Sequence, residues 1–206
     1  MIAVTPMSVR SAFKASLRLL ALTLVLHRLL QFYILSRFLT PNAALQWVSQ
    51  ALSTKPGVIG QLMRQAFFAR TIRGCHPSAI ISFGTLLSNT NCSIGQGVYI
   101  GPHCMLGSVT VEDHVMLGPH VVVTSGARMH GTADIGLPMS QQKGEHINVR
   151  IGTGSWLGAG AIVMADVGAD TIIAAGAVVT RAVPDLVVAA GMPAQVVKVR
   201  GTSRDN

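Results

Sequence analysis

The sequence predicts a mainly β chain: a triangular β-solenoid preceded by an α-helical segment. Three observations predict it. First, branched aliphatics recur at every sixth residue in the C-terminal half, usually followed by Gly or Ala: Ile94, Ile100 and Leu106, then Val111, Leu117 and Val123. The ladder resumes at Ile151, Leu157 and Val163, and again at Ile173 and Val179. That period is neither the 3.6 of a helix nor the 2 of an ordinary strand. A fixed short repeat marks one structural unit stacked on its neighbours. Second, 50% of the residues are hydrophobic, only 5% are aromatic, and 21 are Gly, which suits a prism filled by Val, Ile and Ala. Third, Val9 to Leu39 lacks the six-residue period, contains no Gly or Pro, and is rich in Leu and Ala, as a helix requires.

Taken in order, residues 1–75 read as an α-helical, basic segment and residues 76–206 as the solenoid. Thr40-Pro41-Asn42 breaks the first helix, a second runs to Leu52, and Thr54-Lys55-Pro56-Gly57 makes the next break. A third helix is expected from Gln61 to Arg73, with the first solenoid turn near Ile80. Three six-residue sides predict a coil of about 18 residues. The step from Leu106 to Val111 is one residue short, and the ladder is silent from Val123 to Val149. The polar stretch at about 127–148 therefore reads as an excursion, and long loops in compact domains are commonly functional.

Charge is distributed unevenly. The first acidic residue is Glu112, and nine basic residues precede it: Arg10, Lys14, Arg18, Arg28, Arg37, Lys55, Arg64, Arg70 and Arg73. Nucleic acid could answer such charge, but the Leu-rich helical context argues for a membrane surface and against nucleic acid. Arg28 interrupts the apolar run where a spanning helix would have to bury it in lipid. At 100° per residue Arg10, Lys14, Arg18 and Arg28 fall within a sector of about 80°, which suits a helix lying in a bilayer interface. The competing reading packs these helices against the solenoid or between subunits. A cleavable signal peptide is disfavoured, because no small-residue cleavage site follows the apolar run. The three cysteines, Cys75, Cys92 and Cys104, are odd in number and lack CxxC spacing, so a reducing compartment is expected.

Seven histidines are candidates for proton transfer. His27 and His76 precede the solenoid. His103, His114 and His120 each stand three residues after a ladder aliphatic, while His130 and His146 lie in the excursion. His103 and His120 are one coil apart and should stack about 4.8 Å from each other. Between subunits such histidines could hold zinc, as in the γ-class carbonic anhydrases, but no metal site is expected here. Stacked, partly exposed histidines are the simpler reading.

The segment SWLGAGAIVMADVGADTIIAAGAVVTRAVPDLVVAAGMPAQVVKVR closely resembles the closing coils of the hexapeptide-repeat acyltransferases, and the likeness extends over about Ile80 to Arg200. RQAFFARTIRGC, SFGTLLS and GVYIGPHCMLG look like the O-acetyltransferases of surface-polysaccharide biosynthesis. The resemblance implies a left-handed parallel β-helix, a homotrimer, and acetyl-CoA bound between adjacent prisms. It implies His130, the first histidine after the LGPHVVV coil, as the general base for a hydroxyl acceptor, with His146 as competitor. Asp134 would orient that imidazole, or is an exposed loop acid. For the cofactor the resemblance carries over Trp156, Gly158, Ala159, Ala175 and Gly176, with Thr180 and Arg181 toward the nucleotide end. Gln195 stands where relatives often have a base, and no Asn matches the position that helps place the acceptor. The expected enzyme is a cytoplasmic O-acetyltransferase, peripheral on the inner face of the membrane and acting on a glycan or its lipid-linked precursor. A small soluble acceptor, or a solenoid kept only as an interaction module, are the alternatives.

Overall fold

The computed structural model describes residues 9–201, with side chains from residue 16; the side chains of Arg10 and Lys14, part of the basic sector above, fall outside that range. Helix α1 (Val9–Phe38) is followed by α2 (Pro41–Ser53) and α3 (Gly57–Thr71). Thr40 caps α2: its hydroxyl accepts from the Ala43 N–H at 3.2 Å, with Pro41 in the first turn. Helix α3 starts four residues ahead of expectation. Pro56-Gly57 opens it instead of separating it from a loop, and Gly60 is required because a Cβ there would sit 2.0 Å from the Lys55 carbonyl oxygen.

The solenoid begins at Gly74–Cys75 (β1), ahead of the turn expected near Ile80. Its short parallel strands form three faces. The first face stacks β1, β4 (Ser93–Ile94), β7 (Val109–Val111) and β10 (Val149–Ile151). The second stacks β2 (Ile80–Ile81), β5 (Tyr99–Ile100), β8 (Met116–Leu117), β11 (Trp156–Leu157), β13 (Ile172–Ile173) and β15 (Val187–Ala190). The third stacks β3 (Leu86–Leu87), β6 (Met105–Leu106), β9 (Val122–Val123), β12 (Ile162–Val163) and β14 (Val178–Val179). Antiparallel β16 (Gln195–Val199) folds back on β15 and covers the C-terminal end. The register pairs Ile94 with Val111, Ile100 with Leu117 and Leu106 with Val123, so the six-residue ladder is the inward column of each face. Every ladder residue is at most 2% exposed. The short step to Val111 is absorbed at a corner without losing that register.

The helices close the other end, as terminal elements must in a solenoid whose coils bury only against neighbours. Asn42 Oδ1 accepts from the Thr90 N–H at 2.9 Å, and the buried Ser49 hydroxyl accepts from Leu87 N–H at 3.1 Å. Arg64 is the rivet. Only 1% exposed, its guanidinium donates to the carbonyls of Ile81 (2.9 Å), Leu52 (3.1 Å) and Lys55 (2.8 Å). Burial pulls its pKa down to about 10, which still leaves it charged at neutral pH.

Candidate active site at the excursion corner

The excursion leaves the third face after Val123 and returns at Val149, so it occupies the expected region. Glu112 and Arg150 bridge its base. Arg150 donates to the Glu112 carboxylate from Nε (2.6 Å) and a terminal nitrogen (3.0 Å), and Thr153 adds its N–H (2.9 Å) and hydroxyl (3.0 Å). These bonds, that of the Arg150 guanidinium foremost, hold the Glu112 carboxyl below its ordinary range. A group lowered in this way contributes stability that is present at neutral pH and lost as pH falls through its folded value. Glu112→Gln is therefore expected to cost about 1 kcal/mol at pH 7 and to flatten the acid side of a denaturant midpoint-versus-pH curve. An unchanged curve would show that the bridge is idle.

Polar side chains fasten the returning strand. Asn148 donates to the Asn91 carbonyl (2.9 Å) and to the Ser108 hydroxyl (3.1 Å), and accepts from Thr110, which in turn accepts from Arg73. Further out, the Gln142 amide spans the loop, accepting from Asp134 N–H (3.1 Å) and donating to the carbonyls of Asp134 (2.7 Å) and Leu137 (3.0 Å). Gly144 lets the two limbs cross, since a Cβ there would lie 2.0 Å from the Met129 carbonyl oxygen. The loop is thus tied internally despite its polarity. The Asn148 ties leave no mark in the sequence, because they join groups up to 57 residues apart.

His130 stands on the outgoing limb with its ring exposed. Asp134 does not meet it within the protomer: the carboxylate accepts from Gly136 N–H at 2.8 Å, closing a local turn. His146 is also exposed, on the return limb. His103 and His120 do stack, with ring centroids 5.2 Å apart and planes 9° from parallel, and Phe83 meets His103 edge-on at 5.5 Å. Both histidines, and His114 at the neighbouring corner, adopt positive φ of 58°, 59° and 60°. His103 and His120 occupy the left-handed corner position that Gly84, Gly160 and Gly176 fill in other coils, and His114 the one that Gly97 and Gly154 fill. Among the described residues no group of three or more His, Cys, Asp or Glu could hold a metal ion.

The residues carried over for the cofactor divide between two corners. Ala159 and Ala175 with Gly176 lie where the second face turns into the third, and they are exposed there. Gly158 beneath them is buried: a Cβ would sit 2.4 Å from the Ala175 backbone nitrogen, so the two coils can approach only with Gly at this position. Gly158→Ala is expected to cost about 3 kcal/mol by forcing these coils apart, read as a shift in urea midpoint; an unshifted midpoint would refute the close approach. Trp156 points outward from the second face, 48% exposed, between Met116 and Ile172 in register. Thr180 and Arg181 lie at the far edge of the third face, on the same corner as the root of the excursion: Thr124 N–H donates to Val163 O, and Met164 N–H to Val179 O, in successive steps. The third face between these corners carries an apolar groove lined by Leu86, Met105, Val122, Thr124 and Met129, the last adjoining His130.

No cysteine offers an alternative nucleophile. Burial pushes the Cys75 thiol up to about 12 and those of Cys92 and Cys104 to about 11, so all three stay protonated at neutral pH. Cys92 and Cys104 instead point inward and bond the carbonyls of Gly107 and Gly118.

The site thus sits on a six-coil parallel β-solenoid, helix-capped at one end and interrupted by one histidine-bearing excursion. The family model for the bacterial transferase hexapeptide (six repeats) matches residues 91–125. A galactoside O-acetyltransferase of Lactococcus lactis subsp. lactis (strain IL1403) is 32% identical over 161 residues, 74% of this chain and 72% of that relative. Among solved structures, a maltose O-acetyltransferase from Clostridium difficile 630 superposes with a TM-score of 0.66 at 20% identity, covering 78% of this chain and 89% of that one. AntD, an N-acyltransferase from Bacillus cereus solved as a mutant in complex with dTDP and coenzyme A, superposes with a TM-score of 0.53 at 17% identity, covering 61% and 72%. The chain belongs to the hexapeptide-repeat transferase family, and it is an acetyltransferase.

Proposed function

We propose that this enzyme transfers an acetyl group from acetyl-CoA to a hydroxyl of a sugar, in a polysaccharide or a lipid-linked glycan precursor. His130 acts as general base. Its imidazole takes the acceptor's proton as the oxygen attacks the thioester carbonyl, and the coenzyme A thiolate leaves and is protonated. The attack is direct, with no acyl-enzyme. The observation that carries this reading is the placement of His130 on a tied excursion beside the third-face groove, in a chain whose thiols are all held protonated.

The candidate cofactor residues support a trimer as the working unit. Ala159, Ala175 and Gly176 line one edge of the third face and Thr180 and Arg181 the other, so one slender ligand touching both sets is best served by a second protomer's corner. The outward columns of the second and third faces are apolar, with Tyr99, Met116 and Trp156 on one and Met105 and Ile162 on the other, each 38% to 50% exposed. The first face is polar, presenting Ser93, Thr110 and Arg150. Two sticky faces and one wet face suit three prisms around an axis. In such a trimer His130 gains its orienting partner from a neighbour, and Asp134 is the first candidate from the neighbouring copy. Arg181 would pair with a phosphate of the nucleotide. At the inner face of the membrane the enzyme would meet a lipid-linked acceptor.

The test is thiol release from acetyl-CoA with galactosides, maltosides and lipid-linked glycans offered in turn, beside light scattering for mass. Release that requires a sugar hydroxyl, from a particle of three chains, is the expected result. No coenzyme A binding, or release equally fast with serine, would overturn the reading.

A further inference from the structure

Helix α1 presents an apolar face to the outside. Leu19, Leu20, Leu26, Leu30, Tyr33, Ile34 and Phe38 are 48% to 82% exposed. Ala21, Val25, Leu29 and Phe32, on the opposite side, are buried against α3 and α2. Of the basic residues, Arg18 and Arg28 lie toward the packed side, Arg18 within the arc of those buried residues and Arg28 about 20° beyond its edge. The cations consequently emerge along the two flanks of α1. One flank is a cleft lined by Arg18, Leu19, Leu22, Leu62, Ala66 and Arg70. The other is a cleft lined by Leu24, His27, Arg28, Lys55, Ile59 and Met63. Each combines an apolar floor with two cationic side chains, and no acidic residue precedes Glu112 to neutralise them. The two ion pairs among the described residues, Arg128–Glu145 and Arg150–Glu112, are in the solenoid.

We propose that this helical layer docks on an anionic bilayer surface. The outward face of α1 enters the interface, and the two clefts receive lipid phosphates. Charge complementarity selects this occupant. A second copy of the chain would bring the same positive clefts against one another, whereas a phospholipid surface supplies phosphate together with acyl chain, matching the cations and apolar side chains that line each cleft. Stretch Ser16–Phe38 is long and apolar enough to cross a membrane by length and composition. It lies on the surface instead, because one side is packed along its length on helices that Arg64, Ser49 and Asn42 bind to the solenoid. The inference stands independently of the acetyl-transfer chemistry.

Flotation of the full chain with vesicles tests it. Wild-type protein is expected to float with phosphatidylcholine–phosphatidylglycerol vesicles and not with phosphatidylcholine alone, and to be released by salt. Arg28→Gln with Lys55→Gln should lower the partition coefficient about 30-fold, from a factor of about five per cation. Leu30→Asp, at a fully outward position, should abolish flotation while leaving turnover of a soluble acceptor and far-ultraviolet circular dichroism unchanged. Flotation indifferent to anionic lipid, or retained by Leu30→Asp, would overturn the proposal. A Leu30→Asp variant that halves the particle mass of a protein that never floats would equally overturn it, assigning the face to another copy of the chain.

Discussion

His130→Ala is expected to lower kcat by about 10²- to 10⁴-fold, the usual worth of a positioned general base, while coenzyme A still binds with the wild-type dissociation constant. The two readouts separate chemistry from assembly. His130 is exposed on the protomer and bonds no core group, so its truncation leaves the folded prism intact. The candidate cofactor residues lie at the corners of other coils. Stopped-flow thiol release under saturating acceptor measures the first quantity and calorimetry the second. Asp134→Asn, which keeps an acceptor for Gly136 N–H, distinguishes a local turn from an orienting role. If Asp134 serves only the turn, turnover stays within a factor of about two; if it orients the imidazole of a neighbouring copy, turnover falls by an order of magnitude or more. Turnover of His130→Ala within tenfold of wild type would move the base elsewhere, with His146 the next to substitute.

Arg64→Ala is expected to destabilise the protein by about 3 kcal/mol or more, since each buried carbonyl left without its donor costs about 1–3 kcal/mol. Three carbonyls, those of Leu52, Lys55 and Ile81, lose their donor together, and a cavity opens beneath the end of α2. The C-terminal end of that helix also loses a cation that answers its dipole. Arg64→Lys retains the charge but has no planar fork for three separated carbonyls, so it recovers only part of the loss. Because Arg64 ties the helical layer to the first coil, the Ala variant should show two denaturant transitions where the wild type shows one, with the helices melting first. A midpoint shift worth less than about 1 kcal/mol would mean that the carbonyls are satisfied by water once the side chain is gone.

Much of this architecture is legible in the chain. A solenoid buries one inward column per face, and stacking forces the same chemistry at each step. The period in Ile94, Ile100 and Leu106 is therefore a direct image of the three faces. The excursion is legible for the same reason, since losing the period means leaving the prism. The stacked pair His103–His120 follows from counting one coil. The positive φ of these histidines is not legible in the chain, because a corner that often takes Gly accepts His at some strain and leaves no mark in the aliphatic pattern. The starts at Gly57 and Gly74 precede the expected Gln61 and Ile80: Pro56-Gly57 reads locally as a break and Gly74-Cys75 lies ahead of the aliphatic ladder, and only packing against the first coil makes one a helix start and the other a strand.

The basic N-terminal segment divides most sharply between the two sources of information. Its composition shows charge without acid, and its periodicity shows helix. Neither could tell which side of α1 would be covered, because α1 packs on α2 and α3 through Ala21, Val25, Leu29 and Phe32, a stripe no more apolar than the one left outside. Nor could Arg64 be separated from the other eight cations ahead of Glu112. The sequence by itself determined the repeat and the excursion, since each is a local or strictly periodic property, and the resemblance of its closing coils supplied the candidate residues. Only the tertiary structure decided which cation is buried, which apolar face is exposed, and that the candidate cofactor residues sit on two corners, because those depend on contacts between residues far apart in the chain.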